Sequence, residues 1–201
     1  MILIGYSGHA FVVCGILKRA GRKITGYCDM AEKEYNPFNL QYFGTENSET
    51  GSSAIKEHGY FIAVGDNRLR KKIYDGLQKN NSSSANAIHP SAVIDASANI
   101  ATEAVMIAAN VTVNPLASVA TGVICNTGCI IEHECVIGEF AHIGPGAVLC
   151  GNVKIGDGTF VGANAVIRQA VTVGKNAMIG AGAVVVKDVP DNVTVVGVPA
   201  R

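Results

Sequence analysis

The sequence predicts two joined folds, a small open parallel α/β sheet over residues 1–84 and an all-β solenoid over residues 85–201. Three observations predict them. An aliphatic residue returns at every sixth position from Ile131 through Ile137, Ile143, Leu149, Ile155, Val161, Ile167, Val173 and Ile179 to Val185. That period is neither helical nor a plain strand alternation, and it is the signature of a hexapeptide β-solenoid. Before residue 80 the pattern changes to short apolar runs followed by helical spacing, the grammar of a parallel sheet. A polar stretch over residues 80–84 separates the two patterns and reads as a linker.

In chain order, residues 1–5 form a short apolar strand that ends in Gly5-Tyr6-Ser7-Gly8-His9. Residues 10–20 show helical spacing in Phe11, Cys14, Ile16 and Leu17, with Gly21 as the stop. Residues 24–28 read as a second strand ending at Asp29, and residues 61–64 as another, followed by Gly65-Asp66-Asn67 and a basic helix over 68–78. Residues 31–53 lack periodicity and read as a loop-dominated insert with a short strand near Tyr42. In such sheets ligands bind at the carboxyl ends of the strands. Gly5 and Gly8 allow close approach of a ligand, and the first N–H groups of the following helix favour a phosphate or pyrophosphate. Asp29 is placed to accept hydrogen bonds from a ribose or a base. The same residues also suit an ordinary strand–helix turn, and Asp66 and Asn67 suit a helix cap.

The repeat starts at Ile88, Ile94 and Ile100, slips by one residue, and resumes at Ile107, Val113, Val119 and Cys125. Three hexads make one triangular coil, so about five coils form a prism about 25 Å tall. The aliphatic residues point inward and stack on those 18 positions away. Glycine at the second hexad position, and Asn99, Asn110, Asn152, Asn164 and Asn176, are expected where the backbone needs unusual angles.

Hydrophobic residues make up 48% of the 201-residue chain, which supports a sizeable core and argues against disorder. Sixteen basic and sixteen acidic side chains cancel. There are 11 basic and 8 acidic residues before position 87, and 5 and 8 after it. Neither half has the basic stripe that nucleic acid or an anionic membrane would need. The first residues lack the features of a signal peptide, and no apolar run reaches the ~18 residues of a membrane span. The six cysteines form no CxxC pair, and Cys125, Cys129 and Cys135 fall on inward positions. They read as reduced core residues of a cytoplasmic protein, and no metal site is expected.

A hexapeptide prism with the tail Val-Lys-Asp-Val-Pro-x6-Gly-x-Pro-Ala-Arg resembles the left-handed β-helix acyltransferases. The Gly-Tyr-Ser-Gly-His turn, the Gly-Asp-Asn-Arg-Leu-Arg-Lys-Lys-Ile-Tyr helix and Ile131-Glu-His-Glu-Cys-Val-Ile-Gly-Glu-Phe140 narrow the resemblance. The whole chain is similar to the nucleotide-sugar and sialic acid acetyltransferases of the PglD/NeuD type. The resemblance implies a Rossmann-like nucleotide-sugar-binding domain, a left-handed prism, a homotrimer with active sites between neighbouring prisms, and acetyl-CoA as co-substrate. It implies that His133 is the base and that Glu134 raises its basicity. Ser7, Gly8, His9, Asp29 and Gly65 match positions that bind the nucleotide sugar. Met30 stands where relatives can carry a second acid, and Arg68 where the family varies. His142, Ala163 and Ala181 match positions that contact acetyl-CoA.

Coil arithmetic adds to this. His133 stacks 18 residues from Gly151, whose N–H is then an oxyanion donor beside the imidazole. Ala163 lies between Pro145 and Ala181 in a small-residue column suited to a pantetheine arm, expected near His133. The resemblance implies transfer of acetyl to the 4-amino group of a UDP-linked deoxyamino sugar of the bacillosamine type, and the residues suit a direct transfer. Two alternatives stand beside it: O-acetylation of a sialic acid, and a non-catalytic trimeric scaffold. His58 and His89 read as surface or packing residues.

Overall fold

A computed structural model describes residues 1–79 and 84–201; the linker expected over 80–84 therefore lies, for its first four positions, outside the described residues. The first domain consists of β1 (Ile2–Ile4), α1 (Gly8–Arg19), β2 (Gly26–Cys28), β3 (Gln41–Tyr42), α2 (Glu49–His58), β4 (Tyr60–Ile62) and α3 (Asn67–Gln78). The strands pair in parallel in the order β3-β2-β1-β4. Strands β1, β2 and β4 are buried at every residue, as expected of a parallel sheet covered on both faces. Helix α1 turns Ala10, Val13, Cys14, Ile16 and Leu17 inward. It ends where Gly21 adopts φ +70° and its N–H donates to the Lys18 carbonyl.

Helix α2 lies where the sequence reads largely as loop. Its Gly-Ser-Ser centre has poor helix propensity. A cap at Ser48, which accepts from the Gly51 N–H at 3.1 Å, and burial of Ala54 and Ile55 outweigh that. The short strand near Tyr42 is present as β3.

The second domain is a parallel β-helix of two-residue strands in three sheets. Face I has five strands, face II seven and face III six, and each coil runs from I to II to III. Partners such as Ile131 and Leu149, or Ile143 and Val161, lie 18 residues apart. The inward aliphatic residues are sealed, with Ile131, Ile143, Leu149 and Ile167 at 0% exposure. Each such burial contributes roughly 1.5–3 kcal/mol. Face II spans six strand spacings, about 29 Å.

The expected slip sits at residues 102–104. Below it the register is 19, as in Asn99 opposite Ser118. The extra residue turns Glu103 outward, where Tyr74 Oη and Gln78 Nε2 donate to its carboxylate.

Two turn assignments need correction. From the hexad at Ile107 to that at Ile179 the left-handed residue is the fourth, occupied by Glu134, Phe140, Gly146, Asn152 and their equivalents, whereas Asn99 lies in a strand. Glycine at the second position does not take positive φ. It is required because a Cβ there would strike the next coil, as at Gly144, where it would sit 2.6 Å from the Val161 carbonyl.

All six cysteines are free, with Cys125, Cys129 and Cys135 in the core. Among the described residues no helix is long and apolar enough to cross a membrane.

Candidate active site

The first group of candidate residues lies on the prism edge between faces III and I. The chain turns there at Glu132–Cys135, and Glu134 adopts φ +61°. This bend sends the His133 and Glu134 side chains outward together. His133 Nδ1 lies 3.0 Å from Glu134 Oε2. A carboxylate only accepts, so in the neutral ring Nδ1 carries the proton and Nε2 keeps a free lone pair. Nε2 faces Gly151 in the next coil, where a Cβ would come within 2.5 Å of it. The Asn152 N–H donates to the His133 carbonyl at 2.8 Å and locks the two coils in register. The Gly151 N–H makes no hydrogen bond among the described residues. A proton acceptor, its orienting carboxylate and an unused N–H thus share one exposed corner.

The second group surrounds a cleft of about 670 Å³ at the carboxyl ends of β1, β2 and β4. Its floor includes Ile4, Cys28, Val64, Ile73 and Leu77; Ser7, Asp29, Met30, Gly65, Lys33 and Glu46 stand around them. Gly5 takes φ +89°, and a Cβ there would approach Val64 to 2.7 Å. Ser7 caps α1 without a side-chain hydrogen bond, no acidic residue occupies the first turn, and the space at Gly8 is open. That helix start is suited to an anion.

Asp29 lines the cleft and is also hydrogen-bonded within the chain. One oxygen accepts from the Tyr6 N–H at 2.9 Å and the other from the Met30 N–H at 2.7 Å, and Lys33 lies 3.2 Å away. It therefore shapes the turn after β1. Met30 is 83% exposed at the cleft margin. Asp66 caps α3 through the Leu69 N–H at 2.7 Å. His9 is half-buried, and its Nε2 is a buried polar atom with no partner among the described residues. Burial, then the charge of Arg70, draws its pKa down to about 4, so it is neutral at pH 7.

The third group lies on face II. His142 is 7% exposed. Its Nε2 accepts from Asn126 Nδ2 at 3.1 Å, which leaves Nδ1 to donate toward the Gly65 carbonyl at 3.4 Å. Phe160 meets its ring edge-on at 4.9 Å. Burial and Arg70 lower its pKa to about 4. His142 also lines a groove of about 630 Å³ with Arg68, Asn67, Phe160 and Met178, and this groove meets the first cleft at Gly65 and Asp66. Asn126 carried no signal in the sequence except its place in a turn.

Ala163 and Ala181 do form a column with Pro145, since the Gly182 N–H donates to the Ala163 carbonyl and the Asn164 N–H to the Pro145 carbonyl, each at 2.8 Å. The column runs along the edge between faces II and III. His133 stands on a different edge, so the expectation that the column lies near it within one chain is corrected. The cleft domain docks on face II and the edge between I and II, through Asn67 to Gly158 and Arg70 to Gly122 and Phe140. In a triangular prism the His133 edge is opposite face II. One chain therefore keeps its proton acceptor and its cleft on opposite sides. Among the described residues no three His, Cys, Asp or Glu side chains converge as a metal site requires.

Residues 1–77 match the family described as PglD N-terminal domain, and residues 134–169 and 152–187 match the six-repeat bacterial transferase hexapeptide family. The whole chain is similar in structure to a variant of perosamine N-acetyltransferase from Caulobacter crescentus, in complex with CoA and GDP-perosamine. The TM-score is 0.92 at 34% identity, and 94% of that chain is covered. It is also similar to the acetyltransferase domain of PglB from Neisseria gonorrhoeae, in complex with acetyl coenzyme A, with a TM-score of 0.89, 32% identity and 97% of that chain covered. WeeI from Acinetobacter baumannii, at 24% identity and a TM-score of 0.85, shares the fold.

Proposed function

The chain belongs to the sugar acetyltransferases that join a PglD-type domain to a left-handed hexapeptide β-helix and is an acyltransferase, and from that premise we propose that it acetylates the 4-amino group of a UDP-linked deoxyamino sugar of the bacillosamine type, with acetyl-CoA as donor. The observation that carries the reading is the His133–Glu134 pair, with Nε2 free beside the unused Gly151 N–H. His133 Nε2 takes the proton as the sugar nitrogen bonds to the acetyl carbon. The Gly151 N–H stabilises the oxyanion that forms, and Glu134 stabilises the imidazolium. The C–S bond then breaks, the CoA thiolate leaves, and the proton on His133 is returned to it. No covalent enzyme intermediate is required.

The nucleotide lies in the cleft with its pyrophosphate at Ser7 and Gly8, and the sugar extends past Gly65 into the groove at His142. Pro145, Ala163 and Ala181 line the path of the pantetheine arm. Because His133 and the cleft stand on opposite sides of one chain, the working site combines the His133 edge of one copy with face II of the next. A homotrimer closes that arrangement. The scaffold alternative falls with membership of the enzyme family.

The test is a mass-spectrometric assay of acetyl transfer from acetyl-CoA to UDP- and GDP-linked 4-amino sugars and to sialic acids. Acetylation of the UDP-linked amine, lost in His133→Ala, supports the reading. Acetylation of GDP-linked sugars alone overturns the UDP assignment, and acetylation of sialic acid alone overturns N-acetylation.

A further inference from the structure

Arg70 is the largest fully buried side chain, at 1% exposure, yet it carries a charge. Burial lowers its pKa only to about 10, so it stays a cation at neutral pH. Among the described residues its guanidinium makes no ion pair with a carboxylate, and Asp66 acts on it only through space. Nε donates to the Gly122 carbonyl at 2.8 Å. Nη1 donates to Val64 at 3.2 Å and Gly65 at 3.0 Å. Nη2 donates to Asn67 Oδ1 at 2.9 Å, Phe140 at 2.9 Å and Ala141 at 3.5 Å. Three of these acceptors belong to the sheet domain and three to the prism. The Gly65 carbonyl lies between the cleft and the groove, and it also receives His142 Nδ1.

We propose that Arg70 is a positioning residue for acetyl transfer: its fork fixes the Gly65 lip of the nucleotide cleft, and the His142 strand behind it, at one separation and angle. Stability alone would be served as well by a well-packed apolar side chain, because a buried charge among neutral acceptors carries a large desolvation penalty. An apolar side chain cannot hold oxygen atoms from two domains in a common plane, and a lysine presents no planar fork. Asn67 extends the same joint, since its Nδ2 donates to the Gly158 carbonyl at 2.9 Å while its Oδ1 accepts from Arg70. Glu103, turned outward by the slip in the repeat, holds the far end of α3. The joint thus sets where a sugar leaving the cleft arrives on face II.

The proposal rests on the function given above, and the experiment separates the two. Full-length wild type, Arg70→Lys and Arg70→Met are compared for calorimetric binding of UDP and of acetyl-CoA, and for kcat of transfer to the UDP-linked 4-amino sugar. Arg70→Lys is expected to bind UDP and acetyl-CoA within about threefold of wild type while kcat falls about 100-fold, the effect of misplacing a reacting group by about 1 Å. Arg70→Met is expected to lose at least as much. Asn67→Ala, with an expected loss of about tenfold in kcat, is the milder variant that decides the matter if both Arg70 variants unfold. A folded variant with wild-type kcat and only a lowered Tm overturns the proposal. So does a loss of UDP binding as large as the loss of turnover, because Arg70 would then shape the cleft alone. Wild type inactive on every acceptor overturns the function and the proposal with it, whereas active wild type with equally active Arg70→Lys overturns the proposal alone.

Discussion

His133 and His142 stand nine residues apart, half a coil around the same prism, and their surroundings are opposite. The His133 side chain is 58% exposed, has one nitrogen on Glu134 and leaves the other without a partner among the described residues. His142 is largely buried beneath the first domain, at the wall of a groove, both its nitrogens have partners, and burial holds it neutral. The difference shows how a repeat that treats all its corners and faces alike diversifies. An edge keeps a side chain in solvent and ready for proton transfer, whereas a face covered by another domain turns the same imidazole into a fixed hydrogen-bonding unit.

The comparison is broken most directly at the edge. His133→Ala should lower kcat by about 10³-fold, within the range for loss of a general base, with the fold unchanged. A rate near wild type in a steady-state assay would remove His133 from the chemistry.

The covered face predicts a pH effect on stability instead. The folded pKa values of His9 and His142, about 4, lie below the ordinary 6.5. Between pH 6.5 and 4 the unfolded chain therefore binds protons that the folded chain refuses. Stability from this source is complete above that window and falls as the pH drops through it, by roughly 3 kcal/mol for each histidine. Urea midpoints at pH 7 and pH 4.5 should show the fall, and His142→Asn should reduce it. An identical pH slope in the variant would contradict the neutral, buried state.

Gly151→Ala sharpens the edge side. The added Cβ would sit 2.5 Å from His133 Nε2, and the exposed ring can swing aside, so the damage should fall on geometry rather than folding. A loss of about 100-fold in kcat with little change in Tm is expected. Glu134→Gln should have the smallest effect, about tenfold in kcat, with stability within ~1 kcal/mol because the pair is exposed. A thermal shift of more than a few degrees would mean that Glu134 supports the turn itself.

Particular residues show where the sequence was legible. Ile131, Ile143 and Leu149 announced their inward positions because burial in a prism must recur with its period. The pairing of His133 with Gly151 followed from the same arithmetic. Helix α2 was obscured because its Gly-Ser-Ser centre hides a helix made by packing and a cap. Asp29 was legible as a cleft residue from its place at a strand end, whereas its hydrogen bonds to the Tyr6 and Met30 N–H groups left no mark in the sequence. Arg70 stood unnoticed among the basic residues of α3, since nothing in a charged helix distinguishes the one side chain that turns inward.

By itself the sequence determined the six-residue period, the sealed aliphatic stack, and the corner that joins His133, Glu134 and Gly151, because these depend on contacts one coil apart. Only the tertiary structure decided that the cleft docks on face II, opposite the His133 edge. Apolar packing of α1 against the first prism strand contributes to that docking, and Arg70 and Asn67 fix its angle on backbone carbonyls at the neighbouring edge; every residue has a carbonyl, so no side-chain pattern could reveal which would be used.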